Sequence, residues 1–204
     1  MKRPLRLTLA PAAALLPLAL LACGTGQAAA ADRAGLEARA EAIRTTTDSV
    51  YVTSMPGFVP AVMSVSDDGN GGFQEAYADL HGSVVQLRVE YGTVTDANCP
   101  QGGINGFGDG TTTCERDGAA WYRTTSDAHE YALNLDGRVL RINSSLKEAD
   151  RATLRAAVRS AHLADDRELD ETLPPLRDHQ GPTERGDLPP GDSAPDNRPP
   201  EGMG

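Results

Sequence analysis

Residues 130–142, EYALNLDGRVLRI, decide the fold because they encode a β-hairpin by two independent cues. The dipeptide Asp136-Gly137 is a two-residue turn signal of type I′, and apolar residues alternate with polar ones on both sides of it. Folding the segment about this turn gives two cross-strand pairs on one face, Leu133 with Leu140 and Tyr131 with Ile142. Turn chemistry and strand register therefore predict the same antiparallel pair.

Other segments extend the predicted sheet. Residues 85–91 alternate apolar and polar side chains, which predicts a half-buried strand. Residues 119–125, AAWYRTT, form a second predicted strand, and residues 61–66 a third that Pro60 confines to an edge or a strand start. Residues 73–80, FQEAYADL, fit either a strand or a short helix, and the sequence does not decide between them.

Helices are predicted before and after these strands. Asp32 can cap a first helix that runs to about Thr46, and Ser145 with Glu148 matches a capping box for a second helix at about 146–162. The second helix carries a basic ridge, Arg151, Arg155 and Arg159. We expect this ridge to be a solvated face paired with acids, with an anionic partner as the alternative. The elements together predict an α+β fold, a small antiparallel sheet with the N- and C-terminal helices packed on one face.

Residues 1–22 have the layout of a secretory signal peptide. Lys2, Arg3 and Arg6 make the start basic, and a short run of Leu, Ala and Pro follows. The run is shorter than the roughly 20 apolar residues that span a bilayer, and two prolines interrupt it. The sequence therefore predicts export, not a membrane-spanning helix at this position.

The apolar run ends in Leu20-Leu21-Ala22-Cys23, which resembles the lipobox of bacterial lipoproteins. The resemblance implies cleavage after Ala22 and a diacylglyceryl group on the Cys23 thiol, with the usual small residue, Gly24, next in the chain. Two acyl chains on one residue supply the two membrane signals that stable anchoring requires. We therefore expect a lipoprotein held at the outer face of the cytoplasmic membrane. The alternative is an ordinary signal peptide that is cut near residues 28–31.

Composition divides the chain into four parts. After the signal peptide at 1–22, residues 23–31 are small and predict a lipidated flexible tether. Residues 32–172 are predicted to form a single domain. Residues 173–204 are rich in proline and acids and hold almost no apolar mass, which predicts a disordered tail.

The charge of the chain limits its partners. The formal charge is −10, and removal of residues 1–22 takes away three positive charges and no negative one, giving −13. An acidic surface repels nucleic acid and anionic lipid headgroups, so we expect neither as a partner. The expected partners are the membrane, through the lipid anchor, and an envelope protein or cell-wall ligand.

Two cysteines remain once Cys23 carries the lipid, and we expect Cys99 and Cys114 to form a disulfide. The bond would close a loop of about 15 residues and stabilise the fold by roughly 3 kcal/mol. Metal ligation and a redox pair are the alternatives, but the chain has no CxxC motif and no histidine between these cysteines. The glycine-rich segment between them, with Asn105 and Asp109, matches neither a phosphate loop nor a calcium loop, so we interpret it as a stapled surface loop.

Two histidines are candidates for chemistry. His81 lies close to Ser83, and His129 precedes Glu130. A hydrolase could use either histidine as its base, but neighbours in sequence do not make a triad, and neither a GxSxG nor an SxxK motif accompanies them. We therefore predict no catalytic residue, no metal ligand and no cofactor.

The strand at 119–125 supplies the candidate ligand contacts. Trp121 and Tyr122 are adjacent and must face opposite sides of the sheet, so they cannot both enter one core. We expect Tyr122 to reach the surface near Arg123, unless a helix covers that face. The candidate contacts to a ligand are therefore Trp121, Tyr122, Arg123 and His129.

The block CERDGAAWYRT at 114–124, together with HEYA at 129–132 and Asp136-Gly137, is similar to actinobacterial membrane lipoproteins of unknown function. This similarity implies a location and no mechanism. We expect a lipid-anchored, non-enzymatic binding or sensing domain of the cell envelope. A hydrolase that uses His81 or His129 and a structural spacer are the alternatives.

Overall fold

Residues 32–61, 63–107 and 111–176 are described by a computed structural model of the chain. The predicted signal peptide, Cys23 and the predicted tether lie outside these residues, and so does the predicted tail from residue 177 onward. In the described part, none of the helices is both long enough and apolar enough to cross a bilayer.

Helices and antiparallel strands make up the described residues, so the α+β prediction is confirmed. The helices are α1 (Arg33–Ala42), α2 (Arg151–Ser160) and α3 (Asp166–Thr172), with a short 3₁₀ helix at Thr47–Ser49. The strands in chain order are β1 (Tyr51–Val52), β2 (Val59–Pro60), β3 (Phe73–Ala78), β4 (Val84–Tyr91), β5 (Thr113–Asp117), β6 (Ala120–Thr124), β7 (Ala128–Asn134), β8 (Arg138–Ser145) and β9 (His162–Leu163).

Seven of these strands form one antiparallel sheet in the order β2-β3-β4-β8-β7-β6-β5, while β1 pairs with β9 separately. The predicted hairpin is β7 and β8, at the centre of the sheet. Its register is the predicted one, Leu133 opposite Leu140 and Tyr131 opposite Ile142. The predicted type I′ turn is wrong, because that type needs a positive φ at both central residues. Gly137 has a φ of 67°, but Asp136 is not among the described residues with a positive φ.

The three helices and the sheet share one hydrophobic core, as the predicted layering requires. Leu36 of α1, Leu154 of α2 and Leu169 of α3 are completely buried in this core. The strands contribute inward side chains from alternate positions, which include Phe73, Tyr77, Val85, Leu87, Leu140 and Ile142.

The opposite face of the sheet is covered by the loop between β4 and β5. A disulfide between Cys99 and Cys114, with the two Cα atoms 6.0 Å apart, ties this loop to β5, so the predicted disulfide is confirmed. Beneath the loop lies a second, smaller core formed by Val94, Cys99, Trp121, Ala132 and Val139.

The second helix begins later than predicted. Ser145 is the last residue of β8 and pairs with Ala128, so it is not available to begin a helix. Asp150 caps α2 instead, and its side chain accepts a hydrogen bond of 2.7 Å from the backbone N–H of Thr153. Leu146, which the predicted helix at about 146–162 included, precedes α2 and is 45 % exposed.

The first helix is shorter than predicted. Asp32 caps α1 as expected, but the helix ends at Ala42 and not near Thr46. Arg44 takes a positive φ of 60°, and the N–H groups of Arg44 and Thr45 bond back to the carbonyls of Glu41 and Ala40. This pattern is a Schellman motif, which terminates the helix.

Several strand predictions are also settled by the structure. Residues 73–80, which fitted a helix or a strand, contain β3, and the strand predicted at 61–66 is replaced by the short edge strand β2 at Val59–Pro60. Strand β5 and helix α3 were not predicted. Leu173 is buried at the end of α3, so the folded body extends past residue 172.

Candidate functional site

The structure divides the candidate contacts Trp121, Tyr122, Arg123 and His129 between the two faces of the sheet. Trp121 and Tyr122 do face opposite sides of the sheet, since they pair with Ala132 and Tyr131 on β7. Trp121 and Arg123 lie on the face that the disulfide loop covers. Tyr122 and His129 lie on the helix face. These residues therefore do not form a single binding surface.

On the loop face, Trp121 and Arg123 hold the disulfide loop to the sheet. The indole Nε1 of Trp121 donates to Asp96 at 3.0 Å, and the guanidinium of Arg116 lies 4.0 Å from the centre of the ring. Arg123 is 4 % exposed and forms an ion pair of 2.5 Å with Glu130. Its remaining nitrogens donate to the carbonyls of residues 99, 101, 102 and 103.

On the helix face, Tyr122 and His129 are packed beneath α2. The Tyr122 hydroxyl lies 3.0 Å from Nδ1 of His129, and the guanidinium of Arg151 lies 3.9 Å from the centre of the Tyr122 ring. His129 is buried, and this burial lowers the pKa of its imidazole. Arg151 and Arg155 both pair with Asp117, so these two members of the basic ridge have acidic partners.

His81 lies in the turn between β3 and β4. The Asp79 side chain organises this turn by accepting hydrogen bonds of 2.8 Å from the backbone N–H groups of His81 and Ser83. This arrangement is an Asx turn and explains the sequence His81-Gly82-Ser83 without a catalytic role.

A different site is formed by β1, β2, β3, β9 and α3. These elements enclose a pocket of about 450 Å³, which we call the acidic pocket. Its walls are mostly apolar and include Val52, Pro60, Met63, Val65, Leu173 and Pro174. A pocket of this size with apolar walls and a few polar groups is the usual form of a small-molecule site.

Glu75 is the distinctive polar group of the acidic pocket. Glu75 is only 4 % exposed, because β3 directs its side chain to the same face as Phe73 and Tyr77. One carboxylate oxygen, Oε2, accepts a hydrogen bond of 2.8 Å from the Tyr77 hydroxyl, which itself accepts one from the N–H of Thr53 at 3.2 Å. The other oxygen, Oε1, has no hydrogen-bond partner among the described residues.

Burial determines the electrostatics of this pair. Removal from water raises the pKa of Glu75, and it also raises the pKa of Tyr77, with the nearby Glu75 carboxylate acting in the same direction. Within the described part of the chain, Glu75 has no ion-pair partner. The pocket therefore contains a buried acid that has no positively charged side chain beside it among the described residues.

The other two acids that line the pocket already have partners. Glu168 lies 3.0 Å from Nε2 of His162 and also caps α3 through the N–H of Asp165. Glu171 pairs with Arg167 at 3.0 Å on the helix surface. The described residues that line the pocket include no lysine or arginine. Glu75 is therefore the acid of the pocket that lacks a positively charged partner among the described residues.

Sequence reasoning missed Glu75 because residues 73–80 were compatible with a helix as well as a strand. Once β3 is assigned, Glu75 falls between Phe73 and Tyr77 in the inward positions of the strand. An acid in an inward position of a strand is the signal that could have identified the site, because charged groups are rarely buried without a partner.

No metal-binding cluster of three or more His, Cys, Asp or Glu side chains occurs among the residues that the structure describes. Asp109, one of the two side chains considered for calcium, lies outside those residues. Comparison of the chain with protein-family models, with curated proteins and with solved structures gave no significant match.

Proposed function

We propose that this chain is a non-enzymatic binding domain and that its acidic pocket takes a small apolar molecule carrying a protonated amine. The observation that carries the proposal is the Glu75 carboxyl group, which is buried, lacks a cation and has one oxygen free inside an apolar pocket. A buried carboxylate without a partner is costly for folding. Proteins commonly keep such a destabilising buried charge at a site where a ligand supplies the missing partner.

The shape and charge of the pocket select the ligand class. Apolar walls favour a hydrocarbon body, while Glu75, with Glu168 and Glu171 near it, favours a positive head group. A carboxylate or phosphate ligand would be repelled by Glu75, the acid of the pocket that lacks a cationic partner among the described residues. An ammonium group has three N–H donors, of which one can reach Oε1 of Glu75.

We further propose that the domain is anchored to the outer face of the cytoplasmic membrane by lipid on Cys23. Support comes from the sequence Leu20-Leu21-Ala22-Cys23 and the basic, apolar segment before it. The confirmed disulfide agrees with an oxidising compartment outside the cytoplasm. Expression with an alkyne fatty acid should label the wild-type protein and not the Cys23→Ser variant. Equal labelling of both, or of neither, would contradict the anchor.

Ligand selection is tested with three probes that share one apolar ring. Titration calorimetry of the full chain with cyclohexylamine, cyclohexanol and cyclohexanecarboxylate should rank the amine first and show no binding of the carboxylate. Glu75→Gln keeps the shape of the side chain and removes its charge. This variant should weaken amine binding about tenfold or more, because it removes a charge-assisted hydrogen bond.

Glu41→Gln is the matched control, since Glu41 is exposed on α1 and does not line the pocket. It should bind cyclohexylamine as the wild type does. The proposal fails if the carboxylate binds as tightly as the amine, or if Glu75→Gln leaves the affinity for the amine unchanged.

A further inference from the structure

A second pocket lies on the opposite face of the sheet from the acidic pocket. It is an open groove of about 500 Å³ under the disulfide loop, and we call it the polar groove. Its side-chain lining includes Glu90, Asn105, Arg123, Glu130 and Arg141. We propose that the polar groove is a separate binding site for an uncharged polyhydroxyl ligand, that is, a sugar.

Charge balance in the polar groove argues for an uncharged ligand. Glu130 accepts from Arg123 at 2.5 Å and from Arg141 at 2.7 Å, and Arg141 also pairs with Glu90 at 2.5 Å. Among the residues that line the groove, two arginines and two glutamates thus neutralise one another, and Arg88 lies outside the lining, 3.9 Å from Glu90. A ligand with a net charge would have to break one of these pairs, and breaking a partly buried pair is unfavourable.

The groups that remain free in the groove are a mixture of donors and acceptors. Glu130 lines the groove and is completely buried, and in the described part of the chain nothing hydrogen-bonds to its oxygen Oε2. Nη2 of Arg141 and the side-chain amide of Asn105 also have no hydrogen-bond partner among the described residues. A hydroxyl group both donates and accepts, so a molecule with several adjacent hydroxyls can satisfy such a mixed set.

The groove is preorganised for binding. Arg123 donates to four backbone carbonyls of the loop, at residues 99 and 101–103. The disulfide between Cys99 and Cys114 joins the start of this segment to β5. Arg123 also pairs with Glu130, and Glu130 and Glu90 both pair with Arg141, so these side chains are held in position before any ligand arrives. A site built in this way does not have to be ordered on binding, which favours affinity for small polar ligands.

The proposal is tested by ¹H–¹⁵N NMR titration and calorimetry on the full chain with glucose, mannose, N-acetylglucosamine and arabinose. At least one sugar should bind, and amide shifts should be concentrated at residues 102–106 and on the loop-facing side of β7 and β8. Asn105→Ala should weaken binding about fivefold, as expected for a neutral hydrogen bond. Glu90→Gln should weaken it about tenfold, because it removes the ion pair that positions Arg141.

Asn70→Ala is the matched control, because Asn70 is also exposed but lies in the loop before β3 and outside the groove. Asn70→Ala and Glu75→Gln should both retain sugar binding. The inference is overturned if none of the four sugars binds, or if Asn105→Ala and Glu90→Gln bind as the wild type does. Since cyclohexylamine is predicted to bind at the other pocket, either proposal can fail while the other stands.

Discussion

Replacing Arg123 by methionine tests how the disulfide loop is attached to the sheet. The guanidinium of Arg123 forms an ion pair with buried Glu130 and donates to the carbonyls of Cys99, Gln101, Gly102 and Gly103. Methionine fills a similar volume and can make none of these bonds. The variant therefore removes the polar attachment of the loop while it preserves the packing.

The expected loss is about 3 to 5 kcal/mol of unfolding free energy, the usual cost of removing one partner of a buried ion pair. Arg141 still contacts Glu130 at 2.7 Å, which places the expected value toward the lower end of this range. For a domain of this size the loss corresponds to a fall in Tm of about 10 °C. Urea unfolding followed by Trp121 fluorescence, with the disulfide intact, measures the change.

Arg88→Met is the matched control on the same face of the sheet. Arg88 makes one hydrogen bond of 3.2 Å, to Gln74, and lies 3.9 Å from Glu90. Its replacement should cost less than about 1 kcal/mol. If Arg123→Met and Arg88→Met destabilise the protein equally, Arg123 does not hold the loop and the reasoning is refuted.

Three further predictions concern stability. Burial raises the pKa of Glu75 in the folded state, so the ionisation of Glu75 lowers the stability of the protein as pH rises. The Glu75→Gln variant should therefore unfold at a higher urea concentration than the wild type at pH 8, and this gain in stability should vanish near pH 4. The hydrogen bond from Tyr131, with the paired arginines, lowers the pKa of Asp117 to about 2. Asp117→Asn should therefore cost about 1 to 2 kcal/mol at pH 7 and clearly less at pH 2, where the folded protein also protonates this carboxyl, and a constant cost at both pH values would contradict this assignment. Replacing Cys99 and Cys114 together by alanine should cost about 3 kcal/mol, checked by urea unfolding, and an unchanged midpoint would exclude a stabilising role.

The central hairpin could be predicted from sequence because two local signals agree on it. Alternation of side chains fixes which face each residue takes, and Asp136-Gly137 fixes where the chain turns, so the register of β7 and β8 follows. The turn type was not predictable, since it depends on how the strands twist. The start of α2 was mispredicted because two capping signals, Ser145 and Asp150, compete in sequence, and β8 occupies the first.

The binding pockets could not be predicted because they depend on contacts between distant segments. The acidic pocket joins β3 to α3, which lie about ninety residues apart in the chain, and α3 itself was not predicted. Strand β5 was missed because its sequence, TCERD, is polar and carries no apolar alternation. Arg123 resembled a surface residue in sequence, and only the folded loop shows that it is buried.

The most direct test of the account is the titration of the Glu75 side-chain carboxyl, followed by ¹³C NMR with and without cyclohexylamine. In the free protein, burial should hold the pKa of this carboxyl above the ordinary value for glutamate. An ammonium group placed against Oε1 stabilises the ionised form, so saturating amine should lower the pKa clearly. A pKa of Glu75 that is ordinary in the free protein, or one that saturating amine leaves unchanged, would contradict the central claim.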